Sequence, residues 1–217
     1  MKPKIDWPNH LISFVLVVLS ILMAFQLEKC SDDRREDKLV EAHVKEIVEE
    51  TRYNKSNLVN LIDKLKDDQF QLDTLLQLIH SEEEDLQRIN NLVFRMMNVG
   101  GLYLKKNAFV SFTESGDIRF VDDFEEKTNL VQLYEFYKLA EVQNQLLVES
   151  FNERYFKHVS EKLDLYRARP QPIENYRDRV FINSISSYRY FLTSCLRTYE
   201  RCLGYMDKYI QENAENV

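Results

Sequence analysis

The sequence predicts an all-α protein in which an N-terminal transmembrane helix leads into an antiparallel bundle of long helices. Three observations predict it. Residues 7–27 (WPNHLISFVLVVLSILMAFQL) carry no formal charge between Asp6 and Glu28. Beyond Asp33, apolar residues recur at alternating four- and three-residue spacing, the period of one helix face. The 217 residues include only four Gly and four Pro, too few breakers to divide the chain into short elements.

The apolar stretch comes first. At ~1.5 Å per helical residue it approaches the ~30 Å thickness of bilayer hydrocarbon. Its lipid-facing side chains would include Leu11, Phe14, Val17 and Leu27. Trp7 falls where an interfacial aromatic belongs, and Pro8 suits a first helical turn because its missing N–H would be unpaired there. The run exceeds the roughly 7–15 residues of a signal-peptide core, and no small-x-small cleavage site follows, so the reading is an uncleaved signal anchor over residues 1–30. Ser20 and Ala24 form a small-xxx-small pair that would let two such helices approach, with Ser13 one heptad earlier; a single lipid-facing helix is the alternative. Orientation stays open. Lys2 and Lys4 precede the span, whereas Lys29, Arg34, Arg35, Lys38 and Lys45 follow it, interleaved with Glu28, Asp32, Asp33, Glu36, Asp37 and Glu41. Counting cations alone places the large domain in the cytoplasm, but the later flank has no net positive charge.

Residues 31–217 read as one helical-bundle domain. Its first helix, about 33–80, carries the stripe Val40, Val44, Ile47, Thr51, Asn54, Leu58, Leu61, Leu65, Asp68, Leu72, Leu75 and Ile79. The nine apolar members are candidate contacts of a helix seam. Thr51, Asn54 and Asp68 would either fix register or oligomer state, or mark where a partner helix ends. A second helix, about 82–98, is predicted to start at a capping box on Ser81 followed by Glu82, Glu83 and Glu84, and to stop at Gly100-Gly101. Residues 102–121 are the least helical, although 107–114 could form two turns before Ser115-Gly116-Asp117 forces a loop or left-handed cap. A third helix, about 123–165, has Asp122 or Asp123 as N-cap and ends at Pro170-Gln171-Pro172. A fourth covers about 174–212, and the acidic tail beyond should fray. Tyrosines and phenylalanines crowd the second half, among them Tyr134, Phe136, Tyr137, Tyr155, Phe156, Tyr188, Tyr190, Phe191, Tyr199, Tyr205 and Tyr209; they would form bundle core or line a ligand pocket.

A net charge of −7 excludes nucleic acid and anionic lipid as partners of the main body, since both need a basic surface. Three cysteines make no disulfide framework, because Cys195 and Cys202 are too far apart on one helix and Cys30 adjoins the membrane. The four histidines fall in separate segments without a metal-ligand spacing; His43 with Glu46 and Glu50 reads as a solvated helix face. No phosphate-cradling glycine loop and no nucleophile with a recognisable base is present. The expectation is therefore no catalytic residue, no cofactor and no metal.

The stretches IDWPNHLISFVLVVLSILMAFQLEK, SFTESGDIRFVDD and EEKTNLVQLYEFY resemble a family of bacterial membrane-anchored helical proteins of unknown function, with a similar anchor and a Ser-Gly-Asp-like turn. The resemblance implies the bacterial inner membrane, with the body in the periplasm where the tail is basic. The functional expectation is a non-enzymatic single-pass scaffold or interaction protein. Its partners would be the bilayer and either a second copy or another membrane protein. The alternatives are a ligand-sensing bundle and a membrane-perturbing effector.

Overall fold

The computed structural model describes the backbone of residues 7–213, with side chains placed at Leu11 and from Ser13 onward. Trp7 opens the first helix by its backbone, but its side chain lies outside the described residues, as do Lys2, Lys4 and the tail beyond Asn213. No strand occurs among the described residues.

One helix, α1 (Trp7–His80), runs for 74 residues without a break, about 110 Å at 1.5 Å per residue. Span and seam thus share one axis, and the helix passes through residue 30 uninterrupted. The chain then turns back. Helix α2 (Leu86–Arg95), an extended segment and α3 (Asn107–Glu114) descend along α1. The descent is pinned in order by Arg95 on Asp67, Lys64 Nζ on the Asn98 carbonyl (3.1 Å), Asn54 on Lys105, and the Ala108 N–H on Glu50 (3.0 Å). A 3₁₀ turn (Asp117–Phe120) ends it, with Asp117 3.1 Å from His43.

The chain climbs again through α4 (Phe124–Ser150), a π-helical turn (Phe151–Phe156) and α5 (Lys157–Lys162). Tyr134 donates to Glu50 and, higher up, Tyr155 donates to the Val93 carbonyl, both at 2.8 Å, so this ascent is parallel to α1. After the one-turn α6 (Ile173–Tyr176), α7 (Arg179–Glu212) descends between α1 and α4 and packs against both. Its pairs with α1 run antiparallel: Arg189 on Asp73, Thr193 on Gln69 (2.8 Å) and Glu200 on Lys66 (2.8 Å). The result is an up-down-up-down bundle in which the second limb is broken.

Local chemistry explains the boundaries. Of the two candidate caps it is Asp123 that caps α4, accepting from the Glu125 N–H at 2.7 Å. Asn107–Glu114 forms its two turns, and Gly116 takes the left-handed conformation (φ 81°) that ends them. Three boundaries differ from the sequence reading. The capping box on Ser81 does not form. Asp85 caps α2 instead, accepting from Arg88 N–H at 3.0 Å, because residues 81–84 fold over the end of α1. There the Arg177 guanidinium donates to the Ile79 carbonyl (3.0 Å) and the Ser81 carbonyl (2.8 Å), satisfying acceptors that a helix end leaves free. Second, α2 stops at Arg95, five residues before Gly100. A Cβ on Gly100 would stand 2.9 Å from Leu61 Cδ1, so that glycine serves close packing rather than capping. Third, the final helix is divided, with Asp178 capping α7 through the Val180 N–H (2.7 Å).

Candidate functional sites: anchor, seam and distal groove

Of the anchor residues, Leu11, Phe14, Val17, Ser20, Ala24 and Leu27 are all exposed on α1, and nothing in the bundle reaches them. Phe14 is 65% and Leu27 73% exposed. Near its N-terminus α1 is long and apolar enough to cross a membrane, and none of that stretch is buried. The Ser20 hydroxyl donates to its own Leu16 carbonyl at 2.8 Å, so it is already satisfied within the helix.

The seam lies elsewhere than a free interface. Val44, Ile47, Leu58, Leu65, Leu72, Leu75 and Ile79 are buried inside the chain's own core, with Val40 and Leu61 half-buried at its edge. The seam is thus made within this chain. The stripe on α7 (Ile185, Tyr188, Leu192, Cys195, Tyr199, Cys202, Met206) has the same helical spacing and fills it first. The polar interruptions have internal partners too. Thr51 accepts from the Tyr137 hydroxyl (3.4 Å), and the Asn54 amide bridges the Lys105 N–H and carbonyl at 2.8 Å each. Asp68 is the exception: it is buried, its Oδ2 has no partner, and burial raises its pKa.

The aromatic residues are core. Tyr137, Tyr155, Tyr176, Tyr188, Tyr199 and Tyr209 are fully buried, and burial drives all their hydroxyls towards the neutral form. The buried thiols of Cys195 and Cys202 are pushed up to about 11 and about 12, which leaves them unreactive. His43, Glu46 and Glu50 do not converge. His43 stacks on Phe112 and meets Asp117, Glu50 accepts from Ala108 and Tyr134, and Glu46 faces solvent. No cluster of metal-ligating side chains occurs among the described residues.

A feature the sequence reading missed sits at the end of the bundle farthest from the anchor. A groove opens between the π-helical turn with α5 and the first turns of α7, lined by Arg154, Lys157, His158, Glu161, Val180 and Ser184 among others. His158 stacks on Phe181 (centroids 4.8 Å apart), and its Nε2 is buried without a partner. Burial lowers its pKa, which Asp178 opposes only in part, so the ring is neutral near pH 7. Arg154 donates to the Ser187 hydroxyl at 3.0 Å, and no carboxylate among the described residues pairs with it. Chemically, the groove offers two cations, the carboxylates of Glu153 and Glu161, a neutral imidazole and the Ser184 hydroxyl to a small polar molecule. The widened π turn is the kind of irregularity that often accompanies a site.

No family model matches the chain, and comparison with curated proteins and with solved structures also gives no match.

Proposed function

We propose that the protein is a non-enzymatic, single-pass membrane-anchored helical module that holds an interaction surface at a fixed height above a bacterial inner membrane. The observation that carries this reading is the unbroken α1, whose unburied apolar stretch and whose bundle core belong to one rigid rod. A flexible linker would let the bundle wander, whereas a continuous helix transmits position and rotation. With the seam filled internally, the surface left for a second membrane-anchored chain is the outer face of α4. There Val131, Leu139, Val142 and Leu146 fall within about 80° of one another, at roughly 100° per residue, and all are exposed. The test uses a variant lacking the native cysteines with Val142→Cys, oxidised in native membranes. A cross-linked product from Val142→Cys, and none from a cysteine placed at Tyr190 on α7, is the expected result. A monomer from both would remove the α4 face as an interface.

A second reading, ligand sensing, draws its support from the distal groove with its unpartnered His158 Nε2. A small-molecule panel that raises the melting temperature of the protein, but not of an Arg154→Ala variant, would favour it.

A further inference from the structure

Between the apolar stretch and the bundle, α1 stands bare. Packing begins at Val40, half-buried at the edge of the core, so residues 28–39 form a stalk of almost wholly exposed side chains. In sequence its charges alternate and nearly cancel; around the helix those of residues 32–38 separate, while Glu28 and, farther up, Glu41 flank the cations at about 100° and about 320° from Leu27. At roughly 100° per residue, Arg34 and Lys38 lie within about 20° of Leu27 and Arg35 about 80° from it. Asp32, Asp33, Glu36 and Asp37 occupy the opposite arc, from about 140° to about 280°. Arg34, Arg35 and Lys38 surround a shallow groove floored by Leu27, Cys30 and Ser31, and no carboxylate among the described residues lies within ion-pair distance of them.

Two further geometric facts give this face a direction. Side chains on a helix lean towards its N-terminus, which for α1 is the side of the apolar stretch. Arg34 starts about 10 Å beyond Leu27, and the headgroup layer is about 5–8 Å deep, so its long side chain leans back into that layer. The bundle hangs on the far side of the rod: Val40, Val44 and Ile47, where packing begins, point roughly opposite the basic face. The end of the bundle nearest the stalk is itself acidic, with Asp122, Asp123 and Glu125 exposed. Attraction to an anionic surface therefore acts on one side of the rod and repulsion on the other.

We propose that Arg34, Arg35 and Lys38 bind the anionic headgroups of the leaflet from which α1 emerges, and that this contact leans the stalk towards its basic face and lifts the acidic base of the bundle clear of the bilayer. The inference rests on the reading of residues 11–27 as a membrane span. It also limits the exclusion of anionic lipid drawn from net charge to the bundle alone.

The full chain is reconstituted into phosphatidylcholine nanodiscs containing spin-labelled phosphatidylglycerol or spin-labelled phosphatidylcholine, and the motionally restricted fraction of each probe is compared. The expected result is a selectivity for phosphatidylglycerol of roughly five-fold or more, the factor that one or two surface cations supply, falling at high salt. The triple variant Arg34→Gln, Arg35→Gln, Lys38→Gln should lose it. Lys29→Gln, which removes a cation closer to the apolar stretch but on the acidic arc, should keep it. No selectivity in the unaltered chain, or an equal loss with Lys29→Gln, overturns the proposal. A chain that enters no nanodisc and is washed from membranes by alkaline carbonate overturns the span itself, a result distinguishable from loss of lipid preference.

Discussion

The apolar stretch of α1 (residues 11–27) and its bundle stripe are both built of large aliphatic residues and meet opposite surroundings. Leu22 is 54% exposed in the lower half, whereas Leu58 in the upper half is 0% exposed. Residues 11–27 are apolar nearly all round, and no neighbouring helix of this chain covers them. The upper half is apolar along one stripe, which three returning limbs cover. The difference teaches that apolar content alone does not say where a helix goes. Its angular distribution does: a full circumference calls for an apolar solvent, a stripe for helices.

The largest test of that comparison is one chemical change made in each half. Leu72→Ala removes a side chain wholly enclosed by the bundle and is expected to cost about 3 kcal/mol, from lost burial and the cavity left behind. Leu22→Ala should leave the unfolding of the bundle unchanged. Chemical denaturation of the detergent-solubilised chain, followed by circular dichroism, measures both. Equal effects would mean that the lower half packs on the bundle after all.

The next effect concerns the broken second limb, which depends on a single amide. Asn54→Ala strips the Lys105 N–H and carbonyl of their partner and is expected to cost about 2 kcal/mol. Hydrogen exchange should show where: the Lys105 amide should lose protection while the α7 amides keep theirs. Uniform loss would make Asn54 a general core residue rather than a specific pin.

Asp68 is expected to act with the opposite sign. Its folded pKa is raised, chiefly by burial, above the value of the unfolded chain, so the native state binds its proton more tightly. Stability is then lost as pH rises from about 4, where the unfolded carboxyl titrates, through the higher folded value, and the full penalty applies at neutral pH. Asp68→Asn should accordingly stabilise the bundle by about 1 kcal/mol at pH 7 and by nothing below pH 4. A destabilising Asn variant at pH 7 would show that the carboxylate has a partner in solution.

How far the sequence could be read follows from the range of each interaction. The long α1, the Asp123 cap and the two turns ended by Gly116 depend on residues within one or two helical turns, and all three were legible. The covering of the seam by α7 depends on residues about 120 positions apart; the matching stripes are visible in the sequence, but which stripe meets which is not. Asn54 appeared only as an interruption, because its partner is a backbone group, which no side-chain pattern reveals. The distal groove was hidden for a related reason. Nothing in FNERYF marks a π turn, and the burial of His158 depends on where Phe181 arrives. The charge separation on the stalk was within reach, since a helical projection of residues 32–38 displays it.

Gly100 supplies the smallest effect and the finest discrimination. Read from sequence, Gly100-Gly101 is a helix stop, and alanine there would extend or distort α2. In the fold α2 has already ended, and the new Cβ is crowded only by the terminal methyl of Leu61, at 2.9 Å, with the Lys64 side chain at ordinary contact distance (3.5 Å). That methyl belongs to a half-buried side chain able to turn aside, so the clash is cheap. Alanine also removes conformational freedom from the unfolded chain, which stabilises by a few tenths of a kcal/mol or more. The two terms oppose each other, and Gly100→Ala should change stability by less than about 0.5 kcal/mol. Pairing it with Leu61→Ala separates them: with the methyl gone, only the entropic gain remains, and Gly100→Ala should then stabilise. If it stays neutral or destabilises in that background, the backbone of Gly100 and not its contact with α1 sets the requirement for glycine, and the second limb is held to α1 less closely than the first comparison demands.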